Sequence, residues 1–322
     1  YKPGRPIEDV RRELGLDRII KLASNENPYG SSPKALEAVK NTLSENFRYP
    51  DATALKLREK LAERFDLKVG NVVVGAGSEG IISSIMRTFL QHGDEIIAAD
   101  NSFIGFRILA NATSIHTHWI PMKNYHHDLS AMAEKISDYT KIIYLANPDN
   151  PTGTYFTVKD FDLFMERVPP KVLVILDEAY FEYAQHLDDY PDSMHYRYDN
   201  IITLRTFSKA HGLAGFRVGY GFSHEDLIEN LNKVKLPFEP SGPAQVAAVA
   251  ALDDISYIQT TADRCFEEKK TLLEVFQKMN LEVIPSAANF ITLIFNNGEK
   301  AIEFNQKDNF VQILMKKYLN YL

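Results

Sequence analysis

The residues that could do chemistry are densest between Thr203 and Tyr220, where a strand-like run leads into hydroxyl groups, a lysine, glycines and an arginine. Lys209 is of the side-chain type that forms Schiff bases, which requires a lowered pKa that leaves the amine deprotonated. Arg217 carries forked N–H donors that suit a phosphate group. A lysine alone is more often solvated than catalytic, but Ser208, the glycines and Arg217 around this one favour a functional site.

A glycine-rich motif provides a second candidate for phosphate binding. Residues 75–80 read G-A-G-S-E-G, follow a predicted strand and open a predicted helix. The spacing fits a dinucleotide-binding fingerprint, with Asp100 at the end of the next strand. A glycine-lined turn at a helix N-terminus also offers N–H groups to any other phosphate, and Ser78 adds a hydroxyl donor. The motif alone leaves open a dinucleotide site, another phosphate site and a plain tight turn.

A third candidate is the carboxylate of Asp177, which ends a buried-strand pattern at 172–176. The pattern resembles the acidic strand end of an ATPase, but the chain has no G-x-x-x-x-G-K-[ST] loop, which that class requires. A carboxylate at the end of a buried strand usually has a cationic partner. On this pattern alone, a structural carboxylate that caps a helix remains the alternative.

Predicted strands and helices alternate around these residues, which indicates an α/β fold with a mostly parallel sheet covered by helices on both faces. Ligands of such sheets bind outside the carboxyl ends of the strands, where the polar motifs lie. Longer helical patterns and a strand pair at 282–285 and 290–295 indicate a smaller α+β domain in the last third of the chain. The other predicted strands are 71–74, 95–99, 114–120, 141–146, 172–176 and 201–204, and the predicted helices are 32–46, 52–65, 81–90, 103–112, 243–252 and 256–278.

Length and composition restrict the class of protein. The chain has 322 residues, of which 45% are hydrophobic and 25% charged, which is typical of a globular protein and excludes a disordered or collagen-like chain. A net charge of −7 argues against nucleic acid as a partner. The single cysteine, Cys265, predicts a reducing, cytoplasmic setting, and no apolar run is long enough to predict a membrane span. The pairs His116–His118 and His126–His127 lack a cysteine or carboxylate frame, so no metal site is expected.

Several segments together resemble the fold-type-I aminotransferases, which depend on pyridoxal 5'-phosphate (PLP), and within them the histidinol-phosphate aminotransferases. The order and spacing hold from Tyr1 to about Phe295. The segments are Asn25–Gly30, Arg48–Pro50, Ala146–Gly153, Asp177–Tyr180 and Thr206–Arg217. The resemblance implies PLP as the cofactor and a large domain with a smaller α+β domain, and it reassigns the glycine motif to the phosphate of PLP.

The resemblance implies a role for each matching residue. Lys209 matches the lysine that holds PLP as a Schiff base and moves the substrate's proton, and Asp177 matches the carboxylate that pairs with the ring nitrogen. Tyr180 and Asn150 match donors to the ring's phenolic oxygen. Phe103 matches an aromatic residue, commonly tyrosine, that stacks on the ring. The other matches are Gly77, Ser78, Thr206, Ser208 and Arg217 for the phosphate, Tyr49 for the phosphate of the neighbouring subunit's cofactor, and Tyr1 and Asn27 for the substrate.

The resemblance also implies a reaction and an assembly. We expect a homodimer that transfers the amino group of histidinol phosphate to 2-oxoglutarate by a ping-pong mechanism, in histidine biosynthesis. An aromatic amino acid aminotransferase is the nearest alternative, and a nicotinamide-dependent dehydrogenase or a non-catalytic PLP-binding regulator is more remote. Residues 1–30 are expected to form an arm that contributes to the small domain and the dimer, 31–235 the large PLP-binding domain and 236–322 the small domain. The family's substrate-binding arginines have no match after Phe295, so we expect the small domain to be incomplete at its end.

Overall fold

The computed structural model describes residues 6–15, 19, 21–196 and 198–307. Its strands are β1 (Val72–Gly75), β2 (Glu95–Ala99), β3 (His116–Ile120), β4 (Thr140–Ala146), β5 (Leu173–Asp177), β6 (Ile201–Thr206), β7 (Gly219–Phe222), β8 (Glu282–Ile284) and β9 (Thr292–Ile294). Its helices are α1 (Ile7–Leu14), α2 (Pro33–Lys40), α3 (Leu55–Arg64), α4 (Gly77–Phe89), α5 (Ile104–Thr113), α6 (Leu129–Glu134), α7 (Val158–Met165), α8 (Phe181–Ala184), α9 (Glu225–Val234), α10 (Gly242–Leu252), α11 (Ile255–Lys278) and α12 (Gly298–Lys307).

The strands β1 to β7 form one sheet of seven strands in the order β1-β7-β6-β5-β4-β2-β3. Neighbouring strands are parallel, except that β7 runs antiparallel to both β1 and β6. The predicted α/β fold with a mostly parallel sheet is therefore confirmed. The strands β8 and β9 form a separate antiparallel pair, in the region where a strand pair was predicted.

Two faces of the large sheet are buried, and the alternation of side chains along each strand accounts for this. In β4, Ile142 and Tyr144 belong to one core cluster, whereas Ile143 and Leu145 belong to a cluster on the opposite face. Successive residues of a strand point to opposite faces, so a strand that is apolar at every position is covered on both sides. Helices α4, α5 and α9 cover the first face, and α2, α3, α6, α7 and α10 cover the second. The sheet is thus buried on both faces, and the loops extend from the ends of its strands.

Helix α10 packs with α2 and α3 in a core cluster that includes Val72 and Val74 of β1. It follows residue 236, where the smaller domain was expected to begin, and yet its buried alanines lie against the large sheet. The small side chains of α10 permit this close approach, since alanine leaves the helix backbone near its neighbours. The boundary at residue 236 stays a prediction.

Some elements differ from the sequence pattern. The predicted helix 32–46 begins as expected, with the Ser32 hydroxyl accepting a hydrogen bond from the backbone N–H of Ala35, but α2 ends at Lys40. Strand β7 was not predicted, because four residues with glycine at 219 and 221 are too few to show an alternation. Six helices in the part of the chain that the structure describes were not predicted either, namely α1, α6, α7, α8, α9 and α12. No helix within the described ranges is long and apolar enough to cross a membrane.

Candidate active site

The polar segments singled out in the sequence meet at the carboxyl edge of the large sheet. The strand register pairs Gly219 with both Gly75 and Thr206, and it pairs Ala146 with Asp177. The ends of β1, β4, β5 and β6 therefore lie at one edge, beside the start of β7. Gly219 must be a glycine here, because a Cβ on it would lie 2.5 Å from the backbone nitrogen of Ser78.

Asp177, the last residue of β5, places a buried carboxylate at this edge. Its Oδ2 accepts a hydrogen bond of 2.8 Å from the hydroxyl of Tyr144, a residue of β4 whose ring is stacked on Phe106. Its Oδ1 is buried without a hydrogen-bond partner among the described residues. Burial raises the pKa of Asp177 to about 6, against the opposing effects of the Tyr144 hydroxyl and the positive charge of Lys209. A cationic N–H donor at Oδ1 would relieve this burial cost.

Tyr180 lies three residues after Asp177, and its hydroxyl is the meeting point of two asparagine side chains. The amide Nδ2 of Asn150 donates to it at 3.1 Å, and the Nδ2 of Asn25 donates at 2.9 Å. The structure thus brings the predicted pair Tyr180 and Asn150 together. It also adds Asn25, which the sequence motif contained but to which no role was assigned.

Lys209 follows β6 in the loop that leads towards β7, and its side chain is half-buried. Its Nζ donates a hydrogen bond of 2.9 Å to the backbone oxygen of Ser24 and lies 5.5 Å from the centre of the Tyr180 ring. The segment around Ser24 therefore contacts the amine of Lys209. These contacts place an amine, a phenol and a buried carboxylate on neighbouring segments of one site.

A cradle for an anion lies at the N-terminus of α4. Gly77 begins this helix with a φ of 75°, and a Cβ on it would lie 2.7 Å from Nη2 of Arg217. Arg217 donates from Nη1 to the Ser208 hydroxyl at 3.3 Å and from Nη2 to Glu79 at 3.2 Å. Backbone N–H groups at a helix N-terminus and a guanidinium together favour a phosphate group. The predicted set of Gly77, Ser78, Ser208 and Arg217 is thus brought together, and Glu79 is an unpredicted member.

Two other predicted residues border this cradle. The hydroxyl of Thr206 accepts a hydrogen bond of 3.1 Å from the backbone N–H of Ser208 and so shapes the turn after β6. Phe103 caps the N-terminus of α5, and its ring lies 2.6 Å from where a Cβ on Gly105 would be, with Glu79 at the same distance. Gly105 therefore lets the aromatic ring approach the cradle.

Of the three residues expected to contact the substrate or the partner subunit, the structure describes two, and their surroundings differ. Asn27 is buried, with Nδ2 donating to the backbone oxygen of Ala210 at 3.0 Å and to the Tyr257 hydroxyl at 3.2 Å. It ties the N-terminal segment to the Lys209 loop, and its role towards substrate stays a prediction. Tyr49 is 80% exposed and stacks on Phe238 with ring centres 4.2 Å apart. Tyr1 lies outside the described residues.

Tyr144 is the most important residue that the sequence analysis missed. Since β4 and β5 are parallel and Ala146 is paired with Asp177, Tyr144 lies two residues back on the same sheet face. A tyrosine in the otherwise aliphatic stretch 142–146 is a signal, but it points to Asp177 only when the pairing of the strands is known.

The histidine pairs form no metal centre in the part of the chain that the structure describes. His118 lies 3.3 Å from a carboxylate oxygen of Glu95, and its ring is edge-on to His116. No group of three or more His, Cys, Asp or Glu side chains in the described ranges could hold a metal ion.

The chain matches the sequence model of a known protein family. The sequence model of the family described as "Aminotransferase class I and II" matches residues 17–320. The chain belongs to this aminotransferase family. Membership covers all the site residues discussed above except Tyr1, and it does not favour the dehydrogenase alternative for the glycine motif.

Curated relatives in the family are similar to the chain over most of its length. "Histidinol-phosphate aminotransferase 2" of Carboxydothermus hydrogenoformans is 43% identical over 295 residues, which are 91% of this chain and 82% of the relative. The "Histidinol-phosphate aminotransferase" of Halalkalibacterium halodurans is 40% identical over 321 residues, which are 99% of this chain and 85% of the relative.

Solved aminotransferase structures are similar to the chain in their fold. The histidinol-phosphate aminotransferase of Sinorhizobium meliloti, solved in complex with pyridoxal-5'-phosphate, is similar with a TM-score of 0.88 and 25% identity, over 97% of this chain and 85% of that one. An aspartate aminotransferase of Thermus thermophilus has a TM-score of 0.80 at 18% identity, over 93% of this chain and 88% of that one, and this likeness concerns the fold alone.

Proposed function

We propose that the protein is a PLP-dependent aminotransferase that transfers the amino group of histidinol phosphate to 2-oxoglutarate. The observation that carries the proposal is the buried Asp177, whose Oδ1 has no hydrogen-bond partner among the described residues, at the same sheet edge as Lys209. Relatives that bear the name histidinol-phosphate aminotransferase and are 40% to 44% identical to the chain support the choice of substrate.

The residues present fit PLP, which has a phosphate at one end and a ring nitrogen that can carry a proton. At the cradle, the guanidinium of Arg217 approaches the start of α4 so closely that a Cβ on Gly77 would lie 2.7 Å from its Nη2, and this brings a cationic donor beside the backbone N–H groups of the helix N-terminus, where a phosphate is favoured. The free Oδ1 of Asp177 suits a protonated ring nitrogen. When bound, PLP supplies an electron sink that stabilises negative charge at the substrate's α carbon.

The fixed groups of the site would hold the cofactor. Asp177 would keep the ring nitrogen protonated, because a carboxylate that is buried away from water needs a cationic partner. Tyr180 and Asn150, already hydrogen-bonded to each other, would contact the ring's phenolic oxygen. Phe103 would lie against the ring. The phosphate would be held by Gly77, Ser78, Thr206, Ser208 and Arg217.

Lys209 would do the proton transfer. Its Nζ would hold PLP between turnovers. When the substrate amine occupies that place, the freed amine of Lys209 would take the proton of the substrate's α carbon and pass it to the aldehyde-derived carbon of the cofactor. The hydrogen bond from Nζ to the backbone oxygen of Ser24 places the amine beside the N-terminal segment that also carries Asn25. In the second half of the ping-pong cycle the same group would move a proton in the opposite direction, from the cofactor to the carbon of 2-oxoglutarate that becomes the α carbon of glutamate.

We further propose a homodimer, in which Tyr49 reaches the phosphate of the cofactor in the neighbouring subunit. The high exposure of Tyr49 and of nearby Phe47, at 80% and 76%, supports a surface that is covered by a second chain. Tyr1 and Asn27 are proposed to contact substrate. A cytoplasmic location stays a prediction from the single cysteine.

The proposal is tested by the visible absorption of the purified protein with PLP. The protein is titrated without keto acid, once with histidinol phosphate and once with phenylalanine. We expect a visible band that histidinol phosphate bleaches at low concentration and phenylalanine does not. Equal or stronger bleaching by phenylalanine would make the protein an aromatic amino acid aminotransferase, and the absence of a band would remove the cofactor assignment.

A further inference from the structure

Asp149 is a buried carboxylate with no role in the chemistry proposed above. Its side chain is only 1% exposed, so its two oxygens must find hydrogen-bond partners in the protein rather than in water. The Oδ1 atom accepts a hydrogen bond of 2.5 Å from the Ser102 hydroxyl and lies 3.1 Å from Nε2 of His127. The Oδ2 atom accepts from the Thr152 hydroxyl at 3.0 Å. A side chain in this environment is a structural junction between the segments that supply the donors.

Those donors come from segments that carry proposed cofactor contacts. Ser102 directly precedes Phe103, and Thr152 lies in the loop after β4 that carries Asn150, the residue next to Asp149. The backbone of the loop is closed by hydrogen bonds from Asp149 N to the Thr154 oxygen and from Gly153 N to the Asp149 oxygen, each of 2.8 Å. The carboxylate therefore connects the segment of Phe103 to the loop of Asn150.

His127 adds a third segment to this junction. It follows the turn in which Lys123 and His126 form an isolated bridge, and it is itself buried. The backbone oxygen of Tyr125, two residues before His127, accepts a hydrogen bond of 2.8 Å from the Thr154 hydroxyl. The turn is thus fixed against the same loop from two sides, which limits the movement of the loop relative to the sheet edge.

A carboxylate is the side chain that this arrangement requires. An ionised aspartate accepts hydrogen bonds at both oxygens and donates none, whereas an asparagine of the same shape presents an NH₂ group at one of them. In Asp149→Asn, that NH₂ group would face either the Thr152 hydroxyl or the Ser102 hydroxyl beside His127, and a hydroxyl that now donates to the carboxylate would have to turn and accept instead. Buried donors without an acceptor are costly, so the segments would separate or rearrange.

We infer that Asp149 is a positioning residue that holds Phe103, which would stack on the cofactor ring, and Asn150, which would contact its phenolic oxygen, in fixed relation to each other through its hydrogen bonds to Ser102 and Thr152. The inference rests on the proposed function, because the ring in question is that of PLP. Asp149 itself would not touch the ring. It acts by fixing the two segments whose side chains do.

The experiment compares Asp149→Asn with Asp189→Asn, using PLP added to the cofactor-free proteins. Asp189 is an exposed aspartate that accepts a hydrogen bond from the Tyr155 hydroxyl, so its variant makes the same chemical change away from the junction. Three quantities are measured: the dissociation constant of PLP, the visible circular dichroism of the bound cofactor and the melting temperature without cofactor. Circular dichroism of a bound chromophore responds to the orientation of its ring within the site.

We expect Asp149→Asn to raise the dissociation constant of PLP at least tenfold and to change the sign or size of the visible dichroism, whereas Asp189→Asn stays within twofold of the unchanged protein. Ser102→Ala, which removes only the link to the Phe103 segment, should change the dichroism with a smaller loss of affinity. This variant also serves if Asp149→Asn does not fold.

Two outcomes would overturn the inference while the proposed function stands. In the first, the unchanged protein, Asp149→Asn and Ser102→Ala bind PLP with the same constant and the same dichroism. In the second, the variants melt at a lower temperature but bind PLP unchanged, which would make Asp149 a purely structural residue. Failure of the unchanged protein to bind PLP at all would instead remove the proposed function, and the inference with it.

Discussion

At the scale of single residues, the two oxygens of Asp177 have different surroundings, and this asymmetry prepares the site for a cation. Tyr144 occupies Oδ2, and Oδ1 is buried without a partner among the described residues. Since the pKa of Asp177 is raised to about 6 by burial, the folded protein without cofactor binds a proton at this group more tightly than the unfolded chain does. The carboxylate form therefore costs stability that the bound cofactor would restore.

The change Asp177→Asn tests this cost in the cofactor-free protein. A pKa raised from 3.8 to about 6 corresponds to about 3 kcal/mol of lost stability at high pH. The stability that protonated Asp177 contributes to the folded protein is fully present below pH 3.8 and is lost as the pH rises through about 6. We expect the variant to be more stable than the unchanged protein at pH 8, by up to about 3 kcal/mol, with a gain roughly half as large at pH 5. Urea unfolding at the two pH values measures this, and an equal difference at both would contradict it.

The change Lys209→Ala tests the amine. The side chain is half-buried and its Nζ donates a hydrogen bond to the backbone oxygen of Ser24, so its removal should cost little stability and leave the fold in place. We expect the turnover of histidinol phosphate to fall by at least about 10³-fold, which is within the range for loss of a general base. Lys171→Ala, at an exposed lysine paired with Asp138, is the matched control and should retain full activity. Turnover that survives the change at Lys209 would remove the proton-transfer role.

At the scale of elements, the site is made from the ends of strands and the start of one helix. The parallel strands β4, β5 and β6 carry Asn150, Asp177 and Lys209 to one edge, because parallel strands end on the same side of a sheet. The antiparallel β7 returns the chain so that Arg217 lies beside the N-terminus of α4. The anion cradle thus depends on β7, an element for which the sequence has no detectable pattern.

The change Gly77→Ala tests the cradle. The φ of 75° is costly for alanine by about 1–2 kcal/mol. The new Cβ would also lie 2.7 Å from Nη2 of Arg217. We expect the dissociation constant of PLP to rise about tenfold or more, as measured by the visible band during titration. In the control Gly215→Ala, the added Cβ would have no atom within 4 Å, and the constant should not change. Equal constants for both variants would argue against a phosphate at Gly77.

At the scale of the whole molecule, an exposed aromatic surface lies around Tyr49. Phe47 and Tyr49 are exposed, and Phe238, which is stacked on Tyr49, is 42% exposed. Large exposed apolar patches on globular proteins mark interaction surfaces. The proposed homodimer would cover this patch and bring Tyr49 to the cofactor of the neighbouring subunit.

The change Phe47→Glu tests the dimer. An unpaired carboxylate in a buried interface is strongly unfavourable, so we expect dissociation into monomers at least about tenfold more readily, together with weaker binding of PLP. Sedimentation velocity over a range of protein concentrations measures the first effect. Tyr139→Glu is the control, since Tyr139 is 66% exposed and lies before β4, away from Tyr49 in the chain. A dimer that is as stable in Phe47→Glu as in the control would place the interface elsewhere.

Much of the fold follows from local patterns in the chain. Apolar runs such as 142–145 and 173–176 predict buried strands, and their alternation with amphipathic helices predicts the parallel sheet that the structure confirms. The spacing of the motifs around Asp177 and Lys209 also points to the family to which the chain belongs. These features are local in sequence, so each can be found without knowledge of the others.

The remaining features depend on contacts between residues that are far apart in the chain. Tyr144, 33 residues from Asp177 in the chain, determines which oxygen of that carboxylate is left without a partner. The hydroxyl of Tyr180 accepts a hydrogen bond from Asn25, which is 155 residues away in the chain. The junction at Asp149 joins Ser102 across 47 residues. Sequence spacing carries no record of such pairings, because they arise only when the sheet places the ends of its strands side by side.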